Sequence, residues 1–182
     1  MTARRRFLTA LLALIWLSGA SGAPQPAEYQ VKAVFLFNFT QFVSWPRESL
    51  PDPQAPFVIG VLGRDPFGRA LEDAIRGEQV AGRPLVIERY RTRADLKPCQ
   101  ILFIDRSASA EIEGVLRELE HTGTLTVTDF DVGADPDVVI RFFTENQRIR
   151  LRINMDSARD AGLTISSKLL RPSQVVDSTG RG

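Results

Sequence analysis

Apolar and polar positions divide this chain into short blocks whose period switches between that of a helix and that of a strand. The first block, Val31-Lys32-Ala33-Val34-Phe35-Leu36-Phe37-Asn38-Phe39-Thr40-Gln41-Phe42-Val43-Ser44-Trp45-Pro46, carries five aromatic rings and no glycine or proline before Pro46. Val31, Val34, Phe35, Phe39, Phe42 and Val43 fall near one helical stripe, and Leu36, Phe37 and Trp45 widen it most of the way round. This predicts a helix of about four turns, stopped at Pro46 and covered on more than one side. Lys32, Asn38 and Gln41, with a length below about 18 residues, argue against a membrane span. The pattern fits plain core, and it fits a helix that also meets a partner or a second copy through Phe35, Phe39, Phe42 and Trp45.

Four prolines between Pro46 and Pro56 predict an exposed connection. Phe57–Leu62 is then a continuous apolar run, as expected for a strand buried on both faces. Gly63-Arg64-Asp65-Pro66-Phe67-Gly68 turns the chain into a helix, with Asp65 as its cap, Pro66 at its first position and Gly77 as its stop. Strands are expected at 84–90, 100–105 and 124–128, with at most one helical turn at 92–97. A helix capped by Ser107 or Ser109 follows the third strand, with Ile112, Val115, Leu116 and Leu119 on its inner face. Such alternation implies right-handed crossovers and a parallel sheet covered on both sides.

Beyond Asp129 the pattern changes. Val138 to Phe143 and Arg148 to Asn154 lie too close for a crossover helix and predict an antiparallel hairpin. In its second strand Ile149, Leu151 and Ile153 point one way while Arg148, Arg150 and Arg152 point the other. Those arginines are a solvated face or a docking surface. Asn154 caps a short helix ended by Gly162, and Ser166 to Leu170 form a last capped turn. The fold class expected is α/β: a three-layer, mostly parallel, doubly wound sheet with an antiparallel C-terminal hairpin and an aromatic-rich N-terminal helix.

The first 20 residues read as a signal peptide, with Arg4, Arg5 and Arg6 before an apolar run and Ser18-Gly19-Ala20 at its end. The arginines also resemble a twin-arginine signal, so either export route is open. No cysteine follows the apolar run, which excludes lipidation there. The expected organisation is a leader over 1–20, a remnant over 21–27, one α/β domain over 28–176 and a disordered tail over 177–182, with the protein in the periplasm. Without the leader 20 basic residues face 22 acidic ones, and a net charge of −2 argues against nucleic acid as a partner. Cys99 is the only cysteine, so no intrachain disulfide can form.

No catalytic constellation emerges. One His (His121) and one Cys cannot build a zinc site, and Gly60-Val61-Leu62-Gly63 lacks the remainder of a phosphate loop or dinucleotide fingerprint. Asp65, Asp105, Asp129 and Asp131 follow strands, where a doubly wound sheet gathers its loops. They are candidate helix caps, or a magnesium site of the phosphoacceptor kind that wants a lysine nearby. The expectation is no enzyme, no metal and no cofactor. A small ligand, if there is one, belongs at Gly63, Arg64, Asp65, Phe67, Asp105 and Ser107.

Four blocks in this order resemble the YfiR-type periplasmic proteins over residues 29 to 176. They are Val31-Lys32-Ala33 with Phe35 to Trp45-Pro46; Phe57 to Gly63 with Asp65-Pro66-Phe67-Gly68; Cys99 to Ile104; and Ile149 through Asn154 to Gly162-Leu163-Thr164-Ile165-Ser166-Ser167-Lys168-Leu169-Leu170. The resemblance implies a non-enzymatic, dimeric regulator. It would repress an inner-membrane diguanylate cyclase by binding its periplasmic sensor domain, and be released by an outer-membrane, peptidoglycan-binding lipoprotein. A histidine kinase or another exported sensor is the alternative receptor. Members often carry cysteine pairs, whereas Cys99 stands alone; Gly133-Ala134-Asp135-Pro136-Asp137 replaces a glycine-rich stretch; and Pro172-Ser173 replaces an apolar pair.

Overall fold

Residues 26–50, 52–133 and 137–176 are described by a computed structural model. The expected leader, residues 21–25 of the remnant and the expected tail lie outside them. The chain runs α1 (Pro26–Phe42), β1 (Val43–Ser44), β2 (Phe57–Leu62), α2 (Ala70–Ile75), β3 (Gln79–Val80), β4 (Arg83–Tyr90) and β5 (Ile101–Ile104). It continues through α3 (Ile112–Leu119), β6 (Leu125–Thr128), β7 (Ile140–Glu145), β8 (Arg148–Asn154), α4 (Met155–Asp160), β9 (Thr164–Ile165), α5 (Ser167–Leu170) and β10 (Gln174–Val176).

Eight strands form one sheet in the order β10-β8-β7-β6-β5-β2-β4-β3. From β4 to β7 the neighbours are parallel; β8 returns antiparallel to β7, and β3 runs antiparallel to β4. Alternation along the central strands assigns each residue to a layer. Phe57, Ile59, Val61, Ile101, Phe103, Leu125 and Val127 pack with α1 and Leu71 of α2. Val58, Leu62, Leu102 and Ile104 pack with Ile112 and Val115 of α3 on the other face. This is the three-layer α/β arrangement expected, with the parallel centre, the hairpin and the N-terminal helix in place. Gly60 serves the second layer by its lack of a side chain, because a Cβ there would stand 2.8 Å from Tyr90 Cε2 and 2.9 Å from Leu102 Cδ1.

Several boundaries differ from the sequence expectation. Helix α1 begins five residues earlier than Val31 and ends at Phe42, before Pro46. Val43 and Ser44 leave it to pair with Ile165 and Thr164, a two-strand ladder too short to carry a periodic signal. Its buried stripe is Tyr29, Ala33, Leu36 and Phe39, spaced as a helix requires and continued by Val43 just past its end. Val31 and Val34, expected on the inner stripe, are 46% and 49% exposed. Helix α2 starts at Ala70, not Pro66: Asp65 Oδ1 accepts from the Phe67 amide at 2.7 Å, and Gly68 at φ 56° breaks the turn from the helix. Neither Ser107 nor Ser109 caps α3; Asp105 caps a 3₁₀ turn over Arg106–Glu111 that leads into it. The hairpin turn is two residues, Asn146 and Gln147, both at positive φ, as right-handed strand twist favours. The capping roles of Asn154 and Ser166 are as expected.

Phe39 is fully buried against Phe142, ring centroids 6.0 Å apart. Replacing Phe39 by Ala removes that ring from a packed core and should lower unfolding free energy by about 3–5 kcal/mol, measured by urea denaturation. A loss below about 1 kcal/mol would place the helix outside the core.

Candidate functional site

The sheet order fixes where the loops part. Strand β2 is flanked by β4 on one side and β5 on the other. The chain leaves β2 towards β4, then crosses back to β5, so the loops after β2 and β5 diverge at their carboxyl ends and leave a crevice. Gly63 opens the first loop at φ 93°, and a Cβ on it would lie 2.6 Å from Ser107 Oγ. That hydroxyl accepts from the Arg64 amide at 2.8 Å, and Asp105 Oδ1 accepts from the Ser107 amide at 2.9 Å. The two loops are thereby tied to each other.

A third wall comes from far away in the sequence. The first turns of α1 bring Lys32 over the carboxyl edge, where its ammonium lies 2.7 Å from Asp129 Oδ2 and 2.5 Å from Glu28 Oε1. Tyr29 donates its hydroxyl to the same Asp129 oxygen at 2.8 Å. Lys32 is only 4% exposed, and its ammonium sits 4.4 Å from the centre of the Tyr29 ring. Burial, then the hydrogen bond to ionised Asp129, push the Tyr29 phenol well above its usual range. Between α1 and the two loops lies an open cavity of about 720 Å³ that includes Lys32, Arg64, Asp105, Arg106, Ser107 and Asp129.

Of the residues expected at a ligand edge, Arg64, Asp105 and Ser107 line this cavity, and Gly63 shapes its wall. Asp65 and Phe67 do not. Asp65 turns away to Arg89 at 2.7 Å, and Phe67 is buried between Tyr29 and Phe103 with centroids at 5.3 and 4.8 Å. Of the four acids that follow strands, Asp105 and Asp129 reach this cavity, whereas Asp65 is held by Arg89 and Asp131 by Arg141 at 2.8 Å. Among the described residues no group of three or more His, Cys, Asp or Glu is placed to hold a metal. His121 lies at the surface with Nδ1 2.8 Å from the Asp160 carbonyl oxygen.

The aromatic residues expected at a partner face serve the interior. Phe39 has no exposed surface; Phe35 and Phe42 are half-buried on the core. Trp45 packs edge-on to Phe57 at 4.9 Å and donates Nε1–H to the Gln100 carbonyl at 2.9 Å. On β8, Arg150 meets Glu145 at 3.5 Å, Arg152 reaches Gln174 at 3.3 Å and lies over the Phe143 ring, and Arg148 is exposed. Sequence reasoning missed the structural roles of Tyr29, Lys32 and Arg106. Lys32 was within reach, because it is the only charge between Val31 and Pro46 and falls one turn from Tyr29 and Leu36.

Two tied loops at a switch point, closed by a helix across the sheet edge, define an α/β domain with a crevice at its carboxyl edge. The chain belongs to the YfiR/HmsC-like family, whose pattern it matches over residues 29–174. No curated protein matches it. Among the described residues no helix is long and apolar enough to cross a membrane.

Breaking the Lys32–Asp129 pair with Asp129→Ala strands a buried ammonium on Glu28 alone and should cost about 3–5 kcal/mol, whereas Lys32→Met combined with Asp129→Leu should recover most of it. Denaturant titration of the single and double variants decides this, and equal losses in both would refute it.

A second outcome concerns pH. Burial pushes the Cys99 thiol up to about 12, and the Tyr29 and Tyr90 phenols also rise on burial. These groups stay protonated in the folded protein after the unfolded chain has begun to ionise, near 9.0 for the thiol and 10.0 for the phenols. Their stabilisation is complete below those values and is lost as pH rises through them. The melting temperature should therefore fall above pH ~9, less steeply in Cys99→Ala, and Cys99 should react with a thiol reagent only on unfolding.

Proposed function

We propose that this chain is an exported regulatory protein that works by contact, repressing an inner-membrane diguanylate cyclase through the cyclase's periplasmic sensor domain. Family membership supports the regulatory reading. The observation that carries the contact reading is the outer face of α1, where Val31 and Val34 stand 46% and 49% exposed. The sequence calls for cover on more than one side of this helix; the sheet and α2 supply part of it, and Val31 and Val34 stay outside that cover. A receptor domain, or a second copy of the chain, is the natural second cover. Phe39 is absorbed by the core while Phe35 and Phe42 are half-buried on it, so the valines are the most exposed large apolar residues of the helix. Repression requires only that the chain bind the inactive state of its receptor better than the active one.

Val31→Asp combined with Val34→Asp should leave the melting temperature nearly unchanged, within about 0.5 kcal/mol of stability. It should abolish capture of a membrane receptor from solubilised envelopes. A strain lacking the protein should show raised cyclic di-GMP, restored by the wild-type chain and not by the double variant. Full restoration by that variant would move the partner surface elsewhere, and unchanged cyclic di-GMP on deletion would remove the cyclase.

A further inference from the structure

The crevice at the carboxyl edge holds two guanidinium groups that the protein does not neutralise. Among the described residues neither Arg64 nor Arg106 makes an ion pair; Arg106 lies instead over the Phe130 ring, 5.4 Å from its centre. Lys32, in the same cavity, is the contrasting case, since Glu28 and Asp129 already hold it. Glu28 and Asp129 are thus taken up by the buried ammonium, and no carboxylate among the described residues pairs with either exposed guanidinium. Their backbones are not free to drift: the Arg64 amide is tied to Ser107 Oγ at 2.8 Å, and Arg106 follows Asp105, whose amide donates to the Leu62 carbonyl at 2.9 Å.

We propose that this crevice is a binding site for a small organic oxyanion, a carboxylate or a phosphate monoester, gripped by Arg64 and Arg106. Guanidinium presents paired N–H donors that match both groups in two-point fashion. The location, between the loops of two parallel strands whose connections run in opposite directions, is where sheets of this kind take ligands. The volume of about 720 Å³ suits a small metabolite. Asp105 refines the class. Its carboxylate lines the same cavity, bonds the Ser107 amide through Oδ1 and makes no ion pair among the described residues. A bare anion would face that negative charge, whereas a molecule carrying a hydroxyl or ammonium beside its oxyanion would give Asp105 a donor. This site is separate from the valine face of α1, so its test is separate from that of the proposed repression.

Titration calorimetry of the mature chain with glycerol 3-phosphate and with malate distinguishes the two oxyanions, each of which also carries a hydroxyl; glycerol is the neutral control. One of the two should bind saturably at one site per chain. Affinity should drop roughly tenfold or more in Arg64→Ala and in Arg106→Ala, and stay unchanged in Arg148→Ala. Arg64→Lys should keep part of it. Both arginine side chains are exposed and their backbone bonds survive truncation, so melting temperatures should not move. In NMR spectra the amides of Arg64 and Ser107 should shift with the binding oxyanion. Absence of saturable binding by either oxyanion, binding by glycerol of equal strength, or binding indifferent to both arginine substitutions would overturn the assignment.

Discussion

A buried ammonium sets the position of the helix on which the rest of this structure depends. The inner contacts of α1, through Tyr29, Ala33, Leu36 and Phe39, are apolar and carry little directional information. On those contacts alone the helix could ride one turn along its groove, a shift of about 5.4 Å. Lys32 forbids this, since any slip separates it from Asp129, leaving that buried carboxylate without its cation and the ammonium on Glu28 alone, at a cost of about 3–5 kcal/mol. The pair adds little net stability by itself, because removing two ions from water offsets most of their attraction. Its contribution is to make one register far better than its neighbours. The other end is fixed differently, by the Val43–Ile165 ladder and by Trp45 on the Gln100 carbonyl. Helix α1 is therefore clamped at both edges of the sheet.

That clamp explains which parts of the fold were legible from sequence. Strands β2 and β5 are buried on both faces, so their residues had to be apolar without interruption, and such runs cannot be missed. The ladders of β1 with β9 and of β3 with β4, like strand β10, span two or three residues and have no period to read. For α1 the difficulty was different. Apolar residues surround it, so Val31 and Val34 were indistinguishable by hydropathy from Leu36 and Phe39. What decides the orientation is the residue that looked polar, because Lys32 lies on the buried side and turns the valines outward. Burial of a charge with its partner inverted the usual inference.

The crevice was half legible for a related reason. Loops that follow parallel strands gather at one edge, which placed Arg64, Asp105 and Ser107 together from strand positions alone. The separation within those loops was hidden. Asp65 is drawn off by Arg89 of β4, and Phe67 by the rings of Tyr29 and Phe103. The α1 wall is separated from Asp129 by almost a hundred residues, and no local pattern records such a contact.

One helix thus borders two surfaces, and the charges decide whether they communicate. Coupling between sites requires that occupancy of one change the free energy of the state seen by the other. Lys32 is satisfied by Glu28 and Asp129 before any ligand arrives, so an oxyanion held by Arg64 and Arg106 need not disturb the clamp. The outer face of α1 is then presented in one fixed position whether the crevice is filled or empty, and a partner meeting Val31 and Val34 has no ordering of the helix to offset. Only a ligand whose anion competed with Asp129 for the ammonium would free the helix to move, and it would have to supply the energy of a buried ion pair to do so. On the function proposed above, the arrangement therefore favours a steady docking face over a switched one.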